Sequence, residues 1–157
     1  MESMQPFIEK AKGDWNVSLI PLAYHLVLLT YNSKLLFESA GICNNLACLI
    51  FETSSLHKYS LFAFCIMPDH VHILCQPGDV LVSHFVNLLR FRFEYVLTKS
   101  GHIGPVWQPD FREQPLPEDE IKNTAVFVFE NPVRNGLVKD AFDYPFSFVI
   151  GGKEYRP

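Results

Sequence analysis

The stretch MPDHVHIL, residues 67–74, decides how this chain folds and where its chemistry lies. Apolar and β-branched residues surround His70 and His72, a composition that favours a β-strand over a helix. Successive side chains of a strand point to opposite faces, so the two imidazoles project to one side from Cα atoms roughly 7 Å apart. From there, two ring nitrogens can reach one divalent ion. The alternative interpretation is that the two histidines only form local hydrogen bonds. The residues alone do not decide between this pair and a metal-binding pair.

Working outward, the segment 59–66 is a second apolar, aromatic run that ends just before Pro68. Proline presets the backbone of a turn, so we predict an antiparallel hairpin of strands 59–66 and 70–76. Upstream, residues 24–31 have the composition of a central strand. Between them, the apolar spacing of residues 35–55 predicts a helix, most secure at 43–54.

Downstream, apolar positions recur at helical spacing over residues 80–99, and glycines stop this predicted helix. Residues 107–116 are bounded by prolines and predicted to be extended. A helix over 118–130 starts with acidic residues, which suit the positive end of the helix dipole. It ends near Asn131-Pro132, because proline disfavours helical geometry in the residue before it. The aromatic tail 142–150 is predicted to be extended and to cover the sheet.

The order β-α-β-β-α-β-α predicts an α+β fold, a ferredoxin-like antiparallel sheet with helices packed on one face. We divide the chain into an N-terminal arm (1–18), one domain (19–150) and a tail (151–157). Apolar residues make up 48% of the 157 residues, enough to build a real core.

No stretch reaches the roughly 18 uncharged apolar residues that a membrane span needs. No signal peptide is visible either, so we expect a cytoplasmic protein. The net charge of −4 argues mildly against a nucleic-acid partner. Arg90, Arg92 and Lys99 cluster within ten residues, and either a phosphate contact or a solvated helix face explains them.

Several blocks together resemble a known family. They are YHLV at 24–27, MPDHVHIL at 67–74, WQPDF at 107–111, ENPVRNGLV at 130–138 and YPFS at 144–147. In this order and spacing they resemble the HUH-type tyrosine transposases of the IS200-like fold, and in particular those associated with repetitive extragenic palindromes (REP). The resemblance covers about residues 20–149.

The resemblance implies a specific chemistry. Family members hold Mg²⁺ or Mn²⁺ with the two histidines of the strand, and the ion polarises the scissile phosphate of single-stranded DNA. A tyrosine on the following helix attacks that phosphorus and forms a phosphotyrosine link. A polar side chain four residues later completes the metal site. By resemblance, His70, His72 and Asn131 are the metal ligands. For Asn131-Pro132, the competing interpretation is a plain helix end at which the Asn side chain satisfies a local backbone group.

The sequence departs from the family at the nucleophile. Phe127 occupies the tyrosine position four residues before Asn131, and the predicted helix 118–130 contains no tyrosine. Phenylalanine keeps the ring but lacks the oxygen that a phosphoester needs. Tyr95 has a core-like helical position, which disfavours it as a substitute. The segment Phe111-Arg112-Glu113-Gln114 also replaces the aromatic residue and histidine that the family commonly carries there.

Three functions therefore remain open from sequence. The first is a protein that binds single-stranded or hairpin DNA without covalent cleavage; the second is a metal-dependent DNA nickase with another nucleophile, such as metal-activated water; the third is a remnant with no DNA role. The candidate DNA-binding residues are Arg90, Arg92, Lys99, Arg112 and Arg134. A monomer and a homodimer are both compatible with the sequence.

Overall fold

The fold is built around one antiparallel sheet. The computed structural model describes residues 23–152, so the predicted arm 1–18 and the tail beyond residue 152 lie outside the described residues. The five strands are β1 (Ala23–Leu29), β2 (Ser60–Met67), β3 (His70–Gln76), β4 (Arg112–Leu116) and β5 (Ser147–Val149). The helices are α1 (Ala40–Leu56), α2 (Val82–Lys99), α3 (Glu118–Phe129) and the four-residue α4 (Asn131–Arg134).

The strand order is β4-β1-β3-β2-β5, and every neighbouring pair is antiparallel. The predicted α+β class and antiparallel sheet are confirmed. Within the first four strands this order is that of the ferredoxin-like sheet. The predicted covering tail behaves differently, because Ser147–Val149 within it pair with β2 as the edge strand β5.

The helices lie on both faces of the sheet, which differs from the predicted packing on one face. Side chains of α1 and α2 share a core with one set of strand residues, among them Leu26, Phe64 and Ile73. α3 packs on the alternate set, which includes Cys65 and Leu74. The physical reason is visible in β2, where residues 62–67 are all buried. A strand that is apolar on both sides needs cover on both sides.

The hairpin between β2 and β3 turns on two residues, Pro68 and Asp69, with Met67 paired to His70. The carbonyls of this turn are fixed from outside the hairpin. Thr30 donates to the Asp69 carbonyl through both its backbone N–H (3.0 Å) and its hydroxyl (2.9 Å). The Phe37 N–H donates to the Pro68 carbonyl at 3.0 Å. The start of β3, with its histidines, is therefore held rigidly.

Within residues 23–152, no helix has the length and apolar character required to cross a membrane.

Gly78 provides a test of this architecture. It links β3 to α2 where the chain passes the end of α1. A Cβ at this position would lie 1.9 Å from the His57 carbonyl oxygen and 2.5 Å from the Lys58 carbonyl carbon. Both are backbone atoms, so the Gly78→Ala variant has to separate the two segments. We expect a loss of about 1–3 kcal/mol in the free energy of unfolding, measured by urea denaturation.

Gly41→Ala is the matched control, because its added Cβ meets only the Ser39 Oγ at 3.7 Å inside a helix. There alanine should be neutral or stabilising by up to about 1 kcal/mol. Equal stability of the two variants would contradict the close approach at Gly78.

Candidate metal and nucleic-acid site

The two histidines of β3 face the same side of the sheet and meet at their outer nitrogens. The Nε2 atoms of His70 and His72 are 3.1 Å apart. This face is the one covered by α3, since Leu74, two residues further along β3, belongs to that core. The predicted common orientation of the two imidazoles is therefore confirmed.

The spacing of these nitrogens suits two different states. An octahedral ion with ligands at about 2.1 Å places neighbouring ligand atoms about 3 Å apart. The same distance also suits an N–H···N hydrogen bond. No cluster of three or more His, Cys, Asp or Glu side chains in residues 23–152 is arranged to hold a metal ion. A set of two histidines and an amide oxygen would have a different composition, and the 3.1 Å between the two Nε2 atoms is compatible with a shared divalent ion.

The inner nitrogens of both rings also have partners. Nδ1 of His70 lies 2.6 Å from the Asp69 carboxylate oxygen, and Nδ1 of His72 lies 2.9 Å from Nε2 of His25. His25 comes from β1, where it pairs with Leu74, while His72 pairs with Val27. Two such diagonal neighbours lie within reach of long side chains. Both rings of the pair are therefore oriented by partners outside it, as metal-binding histidines usually are.

Burial favours the neutral form of His72 and His25. His72 is only 8% exposed. Its pKa is lowered to about 3, first by burial and then by the neighbouring His70, His25 and Arg134. Burial lowers the pKa of His25 as well. Neutral imidazole has a free lone pair, whereas imidazolium has none. At neutral pH, His72 is available as a ligand.

Phe127 stands directly over this group. Its ring centroid is 6.3 Å from the ring centroids of both His25 and His72, edge-on in each case. Arg134 covers the Phe127 ring, with its guanidinium carbon 3.9 Å from the centroid, and donates to the Phe127 carbonyl. The side chain is still 47% exposed. α3 thus places an aromatic ring, without a hydroxyl, beside the histidine pair.

Asn131 follows α3 as the first residue of α4 and is 5% exposed. Its side-chain oxygen accepts a hydrogen bond from the Asn135 amide, which also donates to the Asn131 carbonyl at 2.9 Å. The bonding of Asn131 is therefore local, but its side chain meets the Asn135 side chain and not the backbone group that the helix-end interpretation predicts. Its role as third ligand stays a prediction.

Besides Arg134, which donates to the Phe127 carbonyl and lies 3.9 Å from the Glu130 carboxylate, two further predicted DNA-binding cations are engaged in the fold. Arg90 donates to the carbonyls of Gln108 and Pro109. Arg92 forms an ion pair with Glu52 at 2.9 Å and donates to Thr53, which ties α2 to α1. Both groups therefore have protein partners, and a role in DNA contact stays a prediction for them.

Lys99 lies further along α2, with its ammonium 5.4 Å from the centre of the Tyr95 ring. Both side chains are exposed. Since α2 packs on the sheet face opposite α3, Lys99 is remote from the histidine pair.

Arg112 is placed differently. On β4 it pairs with Val27, which in turn pairs with His72 on the other side. Residues in register across a sheet share a face, and adjacent strands are about 4.8 Å apart. Arg112 therefore lies on the histidine side, roughly 10 Å away across β1. Like Arg134, it is an exposed cation at the candidate site.

An open cleft of 510 Å³ lies beside His25, between β4, β1 and α3. Its walls combine aromatic, amide and carboxylate side chains: His25, Gln114, Glu120, Asn123, Thr124 and Phe127. Gln114 is the register partner of His25, which explains why the two residues share this cleft.

Four of the five described tyrosines, all except Tyr31, are placed where they do not supply a hydroxyl to the histidine pair. Those of Tyr59 and Tyr144 donate to the Val80 and Ile66 carbonyls, each at 2.7 Å, and burial raises the pKa of both phenols. Tyr24 precedes His25 on β1, so strand alternation directs it to the other face. Tyr95 belongs to α2, on the far side of the sheet; its side chain is 58% exposed, so the predicted core-like position is wrong. Tyr155 lies outside the described residues.

The sequence patterns predict no role at this site for His25, Asp69 or Gln114. His25 and Asp69 stand inside the YHLV and MPDHVHIL blocks, so the signal was present as residue identity. Their contacts depend on which strand pairs with β3 and in which register. Strand pairing and register cannot be read directly from a single sequence. Once β1 and β3 are known to be antiparallel neighbours, their register places His25 beside His72.

Comparison with known proteins places the chain in a family. The family described as "Transposase IS200 like" matches residues 18–121, more than half of the chain. A REP-associated tyrosine transposase of Escherichia coli is 26% identical over 92 residues, covering 57% of this chain and 53% of that protein. A Haemophilus influenzae protein provisionally named as the same kind of transposase is 26% identical over 109 residues, covering 61% and 62%. The alignments thus span between half and two thirds of the curated relatives' length.

Solved structures support the same fold. A REP-associated tyrosine transposase bound to a REP hairpin superposes with a TM-score of 0.70 at 19% identity, covering 89% of this chain and 85% of that one. A provisionally assigned transposase from Deinococcus radiodurans gives a TM-score of 0.54 at 20% identity, covering 72% and 92%. With the family match over residues 18–121, these findings establish that this chain belongs to the IS200-like transposase family.

Proposed function

We propose that this protein binds single-stranded or hairpin DNA at the α3 face of its sheet, with Mg²⁺ or Mn²⁺ at His70 and His72, and does not form a covalent phosphotyrosine link. The observation that carries the proposal is Phe127. Its ring stands 6.3 Å from His72, at the position where the family resemblance expects a tyrosine. The protein thus retains the aromatic packing of that position without an oxygen for nucleophilic attack.

His70 and His72 would hold the ion through their Nε2 atoms, with Asn131 as the proposed third ligand. A bound divalent ion would act as a Lewis acid that polarises a phosphate oxygen. The chain itself contributes orientation, through Asp69 and His25, and a water-poor setting around the largely buried His72.

Cations next to the pair support a phosphate partner. Arg134 lies over Phe127, and Arg112 lies across β1 from His72. Arginine is well suited to phosphate oxygens because its planar fork can donate two hydrogen bonds at once. These local charges are consistent with DNA binding by a chain whose net charge is −4.

The relative bound to a REP hairpin supports a hairpin as the DNA form to test first. The cytoplasmic location and the choice between monomer and dimer stay predictions of this proposal.

Covalent capture of DNA tests the role of Phe127. The wild type should bind a labelled single-stranded hairpin in Mn²⁺ but leave no adduct that survives a denaturing gel. Phe127→Tyr adds one oxygen to a half-exposed ring beside His72, so the fold should accept it and an adduct should appear. The double variant Phe127→Tyr/His72→Ala is the control and should lose that adduct, since it lacks one proposed ligand.

Two results would overturn this function. An adduct in the wild type would mean that another residue is the nucleophile. Absence of hairpin binding in the wild type at low salt, where phosphate contacts are strongest, would remove the DNA partner itself.

Metal binding should stabilise the protein by mass action. At a free Mn²⁺ concentration of about 100 times the Kd, the gain in the free energy of unfolding is about 2.7 kcal/mol. The measurement is the melting temperature at pH 7 with chelator and then with millimolar Mn²⁺. His70→Ala should lose the shift, while His84→Ala, an exposed histidine on α2, should keep it. Identical melting curves with and without Mn²⁺ in the wild type would exclude the proposed metal site.

The metal-free protein should lose stability in acid because of His72. Its pKa is about 3 in the folded chain against 6.5 for the free group. Between these values the unfolded chain binds the extra proton, so the free energy of unfolding falls as pH falls from about 6.5 towards 3. The slope from one such group is at most about 1.4 kcal/mol per pH unit.

Urea unfolding at pH 7, 6 and 5 in chelator measures this slope. His72→Leu removes the titrating group and should flatten it, whereas His84→Ala should leave it as in the wild type. An unchanged slope in His72→Leu would show that other groups cause the acid sensitivity.

A further inference from the structure

Four side chains form one continuous row of hydrogen bonds through the candidate metal site. The Asp69 carboxylate meets Nδ1 of His70 at 2.6 Å, Nε2 of His70 meets Nε2 of His72 at 3.1 Å, and Nδ1 of His72 meets Nε2 of His25 at 2.9 Å. The His25 and His72 rings are within 24° of parallel, with centroids 5.1 Å apart. Their nitrogens are much closer than their centres, so the rings meet edge to edge, as a hydrogen bond requires.

The carboxylate at one end determines the direction of every bond in this row. A carboxylate only accepts, so Nδ1 of His70 carries the proton. In a neutral imidazole the other nitrogen then has a lone pair, so Nε2 of His70 accepts from Nε2–H of His72. Nδ1 of His72 consequently has a lone pair and accepts from Nε2–H of His25. For neutral rings in the metal-free protein, no other assignment satisfies all three contacts.

A metal ion needs a different assignment at two of these rings. Both Nε2 lone pairs of the pair must face the ion, so the proton of His72 has to reside on Nδ1. That N–H then donates to Nε2 of His25, whose own proton has to reside on Nδ1. His70 keeps its proton on Nδ1 in both states. Three neutral rings carry three protons before and after, so the change moves protons without releasing any.

We propose that His25 is a positioning residue that reverses its hydrogen bond to His72, donating in the metal-free protein and accepting when a divalent ion is bound. This inference rests on the proposed metal site at His70 and His72. In the metal-free state, Nε2–H of His72 donates to Nε2 of His70, so the two histidines bond to each other. In the metal-bound state, the same hydrogen bonds to Asp69 and His25 would orient both Nε2 lone pairs towards the ion.

The surroundings of His25 explain why an imidazole suits this position. Carboxylates only accept and ammonium groups only donate, so either would serve one state and oppose the other. An imidazole does both without a change of net charge. The partner at the opposite end is fixed, because the turn carrying Asp69 is held by Thr30 through the Asp69 carbonyl. The adjustable end of the row is therefore at His25, which lines the open cleft.

The tautomers can be read directly by long-range ¹H–¹⁵N correlation of the full chain labelled in histidine. In chelator, we expect Nε2–H for His72 and His25 and Nδ1–H for His70. Saturating Mg²⁺, which is diamagnetic, should move the protons of His72 and His25 to Nδ1 and leave His70 unchanged. Nδ1–H at His72 in the chelated protein, or an unchanged His25 on loading, would overturn the inference.

Metal affinity of variants gives an independent readout. His25→Gln retains an amide that can donate or accept, whereas His25→Leu can do neither. By isothermal titration with Mn²⁺, the Leu variant should bind about 10–100-fold more weakly, the usual effect of removing such a partner. The Gln variant should recover most of that loss, and His84→Ala should match the wild type. Melting curves in chelator verify that each variant is folded.

The outcomes separate this inference from the proposed function. Mn²⁺ binding that is equal in the wild type and His25→Leu would reject the role of His25 and leave the metal site intact. A wild type that binds no Mn²⁺ or Mg²⁺ would reject the metal site, and the loaded half of the inference with it.

Discussion

The register of the β2–β3 hairpin is the constraint on which the site depends. Met67 pairs with His70 across the two-residue turn Pro68-Asp69. Because side chains alternate along a strand, a slip of one residue would turn both histidines away from α3 and into the core of α1 and α2. The turn is anchored from outside by Thr30 and Phe37, so this register is held by tertiary contacts as well as by the strands themselves.

On the same face, the burial of His72 is compensated by hydrogen bonds to both of its ring nitrogens. His72 is 8% exposed, and an imidazole at this depth is costly unless both nitrogens are satisfied. His70 and His25 satisfy them. The lowered pKa of His72 follows from the same burial, and it keeps a lone pair available at neutral pH. The same burial therefore underlies both the predicted acid sensitivity and the proposed role of His72 as a ligand.

Phe127 is held at the site by contacts of its ring and of its backbone carbonyl. The ring contacts His25 and His72 edge-on and is covered by Arg134. These contacts involve the ring and the backbone carbonyl, and none of them needs a phenolic oxygen. The fold can therefore keep an aromatic residue at this position whether or not the position supports covalent chemistry. A family match alone does not report on that oxygen, since it ends at residue 121.

The sequence by itself determined the element types, the α+β class, the strand location of His70 and His72, and the absence of an oxygen at residue 127. Those features follow from local periodicity, turn residues and residue identity. The tertiary structure decided that α3 covers the face opposite α1 and α2, that β5 joins the sheet, and that Arg90 and Arg92 have protein partners. It also brought His25 to His72, because pairing between β1 and β3 joins residues 47 positions apart. Such contacts depend on strand order and register, which a single sequence encodes only through the packing of the whole chain.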